Sequence, residues 1–193
     1  EKGFSNSFEV LGSCYLNGLG VQINKKEGCR YIKKAADNGI SNAMLTYSQL
    51  LMKGEGVSKD MNESIKYLKM AADNDNVKAM TLYANTLLTG KELPMNKEEA
   101  VRYFKMAADQ GSEIQMFNYA SILLKGDLVP IDKEEASLYL KMAADKGHID
   151  SIIIYAKMLR FGDGVQINKK EAARYYKMAA DQGSFDAMNF YGL

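Results

Sequence analysis

The chain has no tryptophan, and it holds only two prolines, two cysteines and one histidine among 193 residues. Cys14 and Cys29 are too few for a disulfide framework, so we expect reduced cysteines packed in the core of a cytoplasmic protein. The lone histidine, His148, has no histidine partners for a zinc site and no recurring acid or nucleophile for catalysis. We therefore expect no metal, no cofactor and no catalytic residue.

The chain also lacks an excess of charge of either sign and any long apolar run. Lys and Arg number 25 against 24 Asp and Glu, which gives a net charge of +1. A dedicated nucleic-acid binder normally has a strong basic excess, so no nucleic-acid partner is expected. No apolar run approaches the roughly 20 residues that cross a bilayer, so we expect no direct insertion into a membrane.

What the chain does have is a period of 36 residues. The pair Ala-Ala recurs five times at this spacing without insertion or deletion, and glycine, tyrosine and aspartate columns share its register. The Ala pairs begin at Ala35, Ala71, Ala107, Ala143 and Ala179, and the tyrosines are Tyr31, Tyr67, Tyr103, Tyr139 and Tyr175. The aspartates are Asp37, Asp73, Asp109, Asp145 and Asp181. Columns that stay in register through five copies indicate a repeat protein.

The register predicts a single array over residues 1–193. Residues 1–5 align with the end of a preceding repeat, and residues 186–193 align with the start of a further one. The five repeats between them are 6–41, 42–77, 78–113, 114–149 and 150–185. An array cut in this way exposes apolar repeat faces at both ends, so end-to-end self-association is one expectation.

Each repeat predicts two helices. The second opens with a capping box, in which an Asn or Asp precedes a Glu by three residues, as at Asn24 and Glu27. It closes near a glycine such as Gly39, although Asp75 stands at this place in the second repeat. Apolar residues spaced three and four apart give the first helix one buried face. The predicted fold is all-α: an α/α superhelix, or solenoid, of stacked 36-residue helix-turn-helix repeats.

The pattern Tyr83-Ala84-x-x-Leu87-x-x-Gly90, followed by Glu99-Ala100-x-x-Tyr103-x-x-x-Ala107-Ala108-x-x-Gly111, resembles the Sel-one-like repeat, a relative of the tetratricopeptide repeat. The segments Gly54-Glu55-Gly56-Val57 and Gly162-Asp163-Gly164-Val165 resemble the loop of that family. The resemblance covers nearly the whole chain and implies a right-handed superhelix that acts as an adaptor or scaffold. Glu92 and Leu128 replace the second loop glycine, so we expect their two turns to adopt another shape.

Other interpretations of the same residues are weaker. The Gly-x-Gly loops lack the Lys-Ser/Thr of a phosphate-binding loop, and a lysine ladder from Lys33 to Lys177 is expected to be a solvated outer face. The Asp37 column lies at a helix C-terminus, where the helix dipole disfavours it, and the sequence offers no firm account. Some cysteine-rich relatives have been linked to β-lactam binding, so an enzyme or β-lactam-binding protein is the alternative function. A structural, self-assembling array is the third.

A protein or peptide partner is expected on the concave face, which the first helices line. Columns that vary between repeats while the packing columns stay constant predict this groove. The candidate partner-binding residues are Leu45, Gln49, Met52, Thr81, Asn85, Leu88, Phe117, Leu124, Lys125, Ile153 and Lys157. The large apolar residues at its centre, Phe117 above all, are predicted to anchor the partner. The alternative is that they pack against the next repeat.

Overall fold

The structure is a computed structural model that describes residues 2–185 and residue 187, with side chains from residue 6 onward. Apart from residue 187, the predicted start of a further repeat at 186–193 lies outside the described residues. The described part of the chain contains ten helices and no strand, which confirms the all-α prediction. The helices are α1 (Lys2–Asn17), α2 (Lys25–Asp37), α3 (Ser41–Lys53), α4 (Met61–Asp73), α5 (Val77–Thr89), α6 (Lys97–Asp109), α7 (Glu113–Lys125), α8 (Lys133–Asp145), α9 (Ile149–Phe161) and α10 (Lys169–Asp181).

The chain forms two compact units. Unit 1 is Glu1–Asn96 and holds α1 to α5, and unit 2 is Lys97–Leu193 and holds α6 to α10. Within each unit every helix packs on the next one along the chain, for example α3 on α4 in unit 1 and α9 on α10 in unit 2. Sequential packing of antiparallel helices across short turns is the helix-turn-helix arrangement that the 36-residue period predicts.

The second helices begin where the capping pattern places them. The side chain of Asn24 accepts the backbone N–H of Glu27 at 3.1 Å, and that of Asp60 accepts the N–H of Glu63 at 2.9 Å. Asp132 and Asn168 repeat this bond in unit 2. Each cap satisfies an N–H that the helix itself leaves without a partner, so the short polar residue at this column fixes the start of the helix.

The turns between the two helices fall into two kinds, as predicted. Where the second glycine is present, it takes a left-handed backbone, with φ of 73° at Gly56 and 74° at Gly164. Asp75 is the one non-glycine residue with positive φ in the described part of the chain, so Glu92 and Leu128 do not copy that conformation. Their turns are rebuilt, because a side chain strains the left-handed region.

Small residues and tyrosines together make the core of each repeat. The recurring Ala-Ala pairs are buried, and the Ser48 hydroxyl lies 3.1 Å from that of Ser64 where α3 crosses α4. Beside this close crossing, the rings of Tyr47 and Tyr67 meet edge to face at 4.7 Å. The same tyrosine pair recurs in unit 2 between α7 and α8 and between α9 and α10. Tyrosine therefore fills this core column of the first helices.

The recurring aspartates, for which the sequence alone gave no account, join one repeat to the next. The Tyr67 hydroxyl donates to the Asp37 carboxylate at 2.5 Å, and Tyr175 donates to Asp145 at 2.6 Å. Burial would raise the pKa of Asp145, but hydrogen bonds from Lys141 and Tyr175 hold it below its ordinary value. These bonds offset the unfavourable position of a carboxylate at a helix C-terminus.

Some lysines of the ladder also contribute to this junction, although the ladder stays about half exposed, as expected of a solvated face. Lys33 is only half-exposed, and its ammonium donates to the Tyr67 hydroxyl at 2.8 Å and to the Asp37 carboxylate at 3.2 Å. In unit 2, Lys105 instead donates to Glu135 of the following repeat. Because the lysines sit at helical spacing and are charged, the sequence pattern could not separate a surface row from a row that bridges repeats.

Candidate functional site

The first helix of each repeat exposes one narrow stripe. In α3 the stripe is Asn42, Thr46, Gln49 and Lys53, whose spacing of four, three and four keeps them on one face of a helix. The corresponding residues of α9 are Asp150, Ile154, Lys157 and Phe161. We call these positions the first-helix stripe. None of its positions is buried in the later repeats, and the adjoining column of Met52, Leu88, Leu124 and Arg160 is solvent-accessible as well, so the stripe with this border is the candidate contact surface.

The structure places most of the predicted partner-binding residues on or beside this stripe. Gln49, Met52, Asn85, Lys125 and Lys157 are exposed. Thr81, Leu88, Phe117, Leu124 and Ile153 are half-buried.

Leu45 is the correction, because its side chain is only 8% exposed and cannot serve as a contact. The stripe continues through position 46, one residue on, where Thr46 and Ile154 stand. In the later repeats the column of Leu45 is open to solvent, since Thr81, Phe117 and Ile153 are half-buried, as Thr46 and Ile154 are.

Phe117 of α7 contacts the next repeat along the chain. Its ring lies 4.7 Å from the ring of His148, which precedes α9. His148 in turn caps α9, since its Nδ1 lies 3.3 Å from the backbone N–H of Ser151 and 3.0 Å from the Ser151 hydroxyl. His148, for which the sequence indicates neither a metal site nor catalysis, thus has a capping role. Packing between repeats accounts for much of the apolar character of Phe117.

The two cysteines are free thiols, as expected. Cys29 is buried and Cys14 is half-buried. Burial raises the pKa of the Cys29 thiol, which keeps it protonated and poorly nucleophilic. Within the described residues, no group of three or more His, Cys, Asp or Glu side chains is placed to hold a metal ion. No helix in this part of the chain is long and apolar enough to cross a membrane.

Unit 2 contains a pocket between α7 and α9, with a volume of about 520 Å³. Leu124 of α7 forms one wall, and the stripe residues Ile154, Lys157 and Phe161 of α9 form the other. The Phe161 ring is 68% exposed. Leu124 and Lys157 were predicted from the sequence, whereas Ile154 and Phe161 were missed. Their signal was available, because an aromatic residue stands in a column that otherwise holds Asn17, Lys53, Thr89 and Lys125.

The rim of this unit 2 pocket carries both charges. Asp163 closes it on the loop side, where its carboxylate accepts from Lys133 at 2.6 Å. The Arg160 guanidinium lies 5.4 Å from the centre of the Phe161 ring, a distance at which cation and ring attract. Lys125 follows Leu124 at the end of α7 and is exposed. The charged residues that line the pocket are one lysine, Lys157, and one carboxylate, Asp163.

Unit 1 contains a pocket at the matching position, between α1 and α3. Its volume is about 240 Å³, and it lies three periods of 36 residues earlier. Lys25 and Glu55 form an ion pair at 3.6 Å on its loop side, as Lys133 and Asp163 do in unit 2. The lining residues of the unit 1 pocket are Leu16, Asn17, Lys25, Thr46, Gln49, Leu50, Lys53 and Glu55. The repeat thus builds the same concavity twice and lines it differently.

Ten helices arranged as helix-turn-helix repeats, without a strand in the described residues, define an all-α solenoid repeat protein. The family model for the Sel1 repeat matches residues 10–40, 41–76, 77–112, 116–148 and 149–184. The chain therefore belongs to the Sel1 repeat family. Proteins of this family generally mediate protein–protein interactions, and their repeat scaffold is typically non-catalytic.

Two solved structures illustrate the likeness. A Sel1 repeat protein from Oxalobacter formigenes is 26% identical with a TM-score of 0.75, over 96% of this chain and 76% of that one. The protein c5321, a protective antigen of uropathogenic Escherichia coli strains with an SLR fold, is 24% identical with a TM-score of 0.78. That match covers 98% of this chain but only 41% of the other, and it supports the fold alone. No curated protein sequence matches this chain significantly.

Proposed function

We propose that the chain is a non-catalytic adaptor that binds a peptide or a protein surface along its first-helix stripe. The observation that carries this proposal is the exposure of large apolar side chains on that stripe. Leu82 is 43% exposed, Ile114 is 52% exposed and Phe161 is 68% exposed. Apolar groups left in contact with water at such positions are typical of contact sites.

Repeat packing does not require these apolar residues. The column of Ile114 holds Asn42, Lys78 and Asp150 in other repeats, and the column of Phe161 holds Lys53 and Lys125. A position that accepts lysine in one repeat and an exposed phenylalanine in another is free of a packing role. Folding does not explain an exposed apolar residue at such a position, whereas contact with a partner does.

Each unit contributes its own part of the proposed surface. In unit 1 the contacts are Gln49, Met52, Thr81, Asn85 and Leu88, together with Leu82. In unit 2 they are Leu124, Lys125, Ile153 and Lys157, together with Ile114, Ile154 and Phe161. Phe117 borders this set through its half-buried ring. Leu45 is withdrawn because it is buried.

Site-specific photocrosslinking in extract of the native source tests the proposal. A photoreactive amino acid is placed at Gln49, Asn85 or Lys157 on the stripe, and at the exposed Lys66 or Arg102 on second helices as controls. We expect one protein to crosslink to the stripe positions in each unit and not to the controls. Crosslinking from the second helices alone, or from no position, contradicts the proposal.

A further inference from the structure

We infer that the chain forms a weak symmetric dimer in which the exposed face of α8 packs on the same face of a second copy. Four exposed residues of α8 and its C-cap carry the inference: Glu134, Leu138, Met142 and Lys146. They are spaced four residues apart, so they form one ridge along the helix, which we call the α8 ridge. The inference goes beyond the adaptor function and does not depend on it, because the first-helix stripe lies on other helices.

Repeat packing does not require the apolar centre of the α8 ridge. Leu138 is 61% exposed, and its column in the other repeats holds only basic residues: Arg30, Lys66, Arg102 and Arg174. Met142 is 46% exposed, whereas the other methionines of its column are half-buried: Met70, Met106 and Met178. A single exposed leucine is ordinary on a protein surface. Here two apolar side chains one turn apart are open to solvent, in a place where the repeat accepts arginine.

The ends of the α8 ridge are charged and have no partner in the same chain. The other charged residues beside the ridge do form ion pairs: Lys133 with Asp163, Glu135 with Lys105, and Lys141 with Asp145. Glu134 and Lys146 have none within the part of the chain that the structure describes. They cannot pair with each other, because the helix between them holds them about 18 Å apart. A second molecule can supply both partners.

The order of residues along the α8 ridge is self-complementary. It runs acidic, apolar, apolar, basic, and an antiparallel copy presents basic, apolar, apolar, acidic. A two-fold axis between Leu138 and Met142 therefore brings Glu134 of each copy to Lys146 of the other, and Leu138 of each copy to Met142 of the other. Two ridges of this four-residue spacing interdigitate when their helices cross at about 50°, which is the commonest packing of helices in proteins.

The second helices of the other repeats lack this pattern. Their corresponding ridges are Lys26-Arg30-Lys34-Asn38, Asn62-Lys66-Met70-Asn74, Glu98-Arg102-Met106-Gln110 and Lys170-Arg174-Met178-Gln182. Each has a basic residue in second place and an uncharged amide in fourth place. An antiparallel copy would leave that basic residue opposite a methionine or a lysine, without a carboxylate. The α8 ridge alone combines an apolar centre with opposite charges at its two ends, so a second α8 is its occupant.

The contact is small, so the dimer is expected to be weak. Interfaces of about 1,600 Å² give dissociation constants from micromolar to picomolar, and the contact between two single helices is smaller. We therefore expect a Kd above about 1 µM, rising with salt because two ion pairs at the rim contribute to it.

Sedimentation equilibrium of the full chain at concentrations up to about 1 mM tests the inference. We expect a monomer–dimer equilibrium without larger oligomers. Leu138→Arg should raise the Kd about thirtyfold or more, because the apolar centre is lost from both copies. Three other repeats carry arginine in this column, and circular dichroism melting shows whether the variant keeps its fold. The matched control is Lys66→Glu, a change in the same column of α4, which should leave the Kd unchanged.

Charge exchange tests the two-fold pairing itself. Glu134→Lys and Lys146→Glu should each raise the Kd about tenfold, because like charges then face each other across the axis. An equimolar mixture of these two variants should associate more tightly than either one alone, and the double variant should recover the original Kd. A merely structural role of the two residues would give no such recovery. A carbodiimide should also join Glu134 to Lys146, a link that the separation of about 18 Å permits only between copies.

Several results would overturn the inference. They are a chain that stays monomeric at about 1 mM, a dimer that Leu138→Arg leaves intact, or a mixture of the two charge variants that associates no better than its components. Oligomers that grow beyond the dimer and tolerate every α8 variant would indicate end-to-end association instead. A photoreactive residue at position 138 that crosslinks another protein of the native extract, and not a second copy, would assign this face to a different partner. None of these results bears on crosslinking from the first-helix stripe, so the adaptor function stands or fails separately.

Discussion

The pocket of unit 1 and the pocket of unit 2 share a backbone frame and differ in what they can hold. Both lie between consecutive first helices, and both are closed by an ion pair between the start of a second helix and a loop. Only one has an apolar lining with an exposed phenylalanine. The 36-residue repeat thus determines where a concavity forms, and three side chains per repeat determine its chemistry. Packing constrains the position of the concavity and leaves the chemistry of its lining free to vary.

The largest expected effect is the loss of both units in alkali. Burial raises the pKa of Tyr47 to about 12 and raises the pKa of Tyr67 and Tyr155 above the ordinary 10.0. The folded chain therefore holds these phenolic protons more tightly than the unfolded chain does. Stability is complete below pH 10 and falls as pH rises through the folded pKa values.

Tyrosinate absorbance and helical circular dichroism should accordingly change together on titration toward pH 12. Ionisation of most tyrosines near pH 10 with the helices intact would show that the tyrosine pairs are not protected as their burial indicates. Because buried tyrosine pairs occur in both units, neither pocket should survive this transition.

The second prediction concerns the loop glycines beside the two pockets. A Cβ at Gly56 would lie 2.1 Å from the carbonyl oxygen of Lys25, and one at Gly164 would lie 2.6 Å from that of Lys133. Gly20 has the same φ of 74° as Gly164 but nothing within 4 Å. Gly56→Ala and Gly164→Ala should each cost about 3 kcal/mol or more, and Gly20→Ala about 1 kcal/mol.

Urea denaturation of the three glycine variants measures these differences. Equal losses of unfolding free energy in the three variants would mean that the second glycine is required only for its left-handed backbone conformation. A larger loss for Gly56→Ala and Gly164→Ala would show that the close approach between repeats also requires it.

The third prediction compares the tyrosine–aspartate bridges of the two units. The two bridges compared are Tyr67–Asp37 of unit 1, where the Lys33 ammonium donates to both partners, and Tyr139–Asp109 of unit 2, where the Lys105 ammonium donates to Glu135 instead. The other bridge of unit 2, Tyr175–Asp145, also receives a lysine, because Lys141 donates to Asp145. A double-mutant cycle with Tyr→Phe and Asp→Asn should give a coupling of about 1–2 kcal/mol in each unit.

Replacing the lysine tests whether the coupling energies of the two bridges depend on it. Lys33→Met should reduce the coupling in unit 1, because the ammonium is hydrogen-bonded to both partners. Lys105→Met should leave the coupling in unit 2 nearly unchanged. An equal effect of both lysine variants would show that the difference in contacts has no energetic weight.

The smallest effect is expected from the ion pairs at the loop side of the pockets. Lys25 and Lys133 are about half-exposed, so Lys25→Met and Lys133→Met should each cost no more than about 0.5 kcal/mol. Methionine is a matched replacement, because Met61 occupies this column in the second repeat. Thermal melts at low and high salt should show the cost disappear as salt rises; a cost above 1 kcal/mol would contradict the screening argument.

Much of the fold could be predicted because it repeats. The Ala pairs, the caps at Asn24 and Asp60, and the altered turns at Glu92 and Leu128 were all legible in the columns, and the structure confirms each of them. Helix capping and glycine conformation depend on residues that are close in sequence. Because the repeat occurs five times, these residues recur in the same columns and can be recognised.

The candidate site was predicted less well, because it depends on contacts between residues far apart in sequence. Leu124 and Lys157 were identified, but Leu45 was placed on the surface and Ile154 was missed by a single position. Adjacent helical positions differ by about 100° around the axis, and an apolar residue at either one gives the same pattern when each first helix packs on two neighbours.

The sequence by itself determined the period, the two helices of each repeat and the turns, since these follow from capping, glycine conformation and apolar spacing within some 36 residues. Only the tertiary structure showed that the aspartate column receives the tyrosine of the next repeat, and that Phe117 rests on His148. It alone placed Phe161 in the open beside Leu124. Burial and hydrogen bonding across repeats depend on how the helices stack. The residue pattern along one helix does not give the distances between side chains of different repeats.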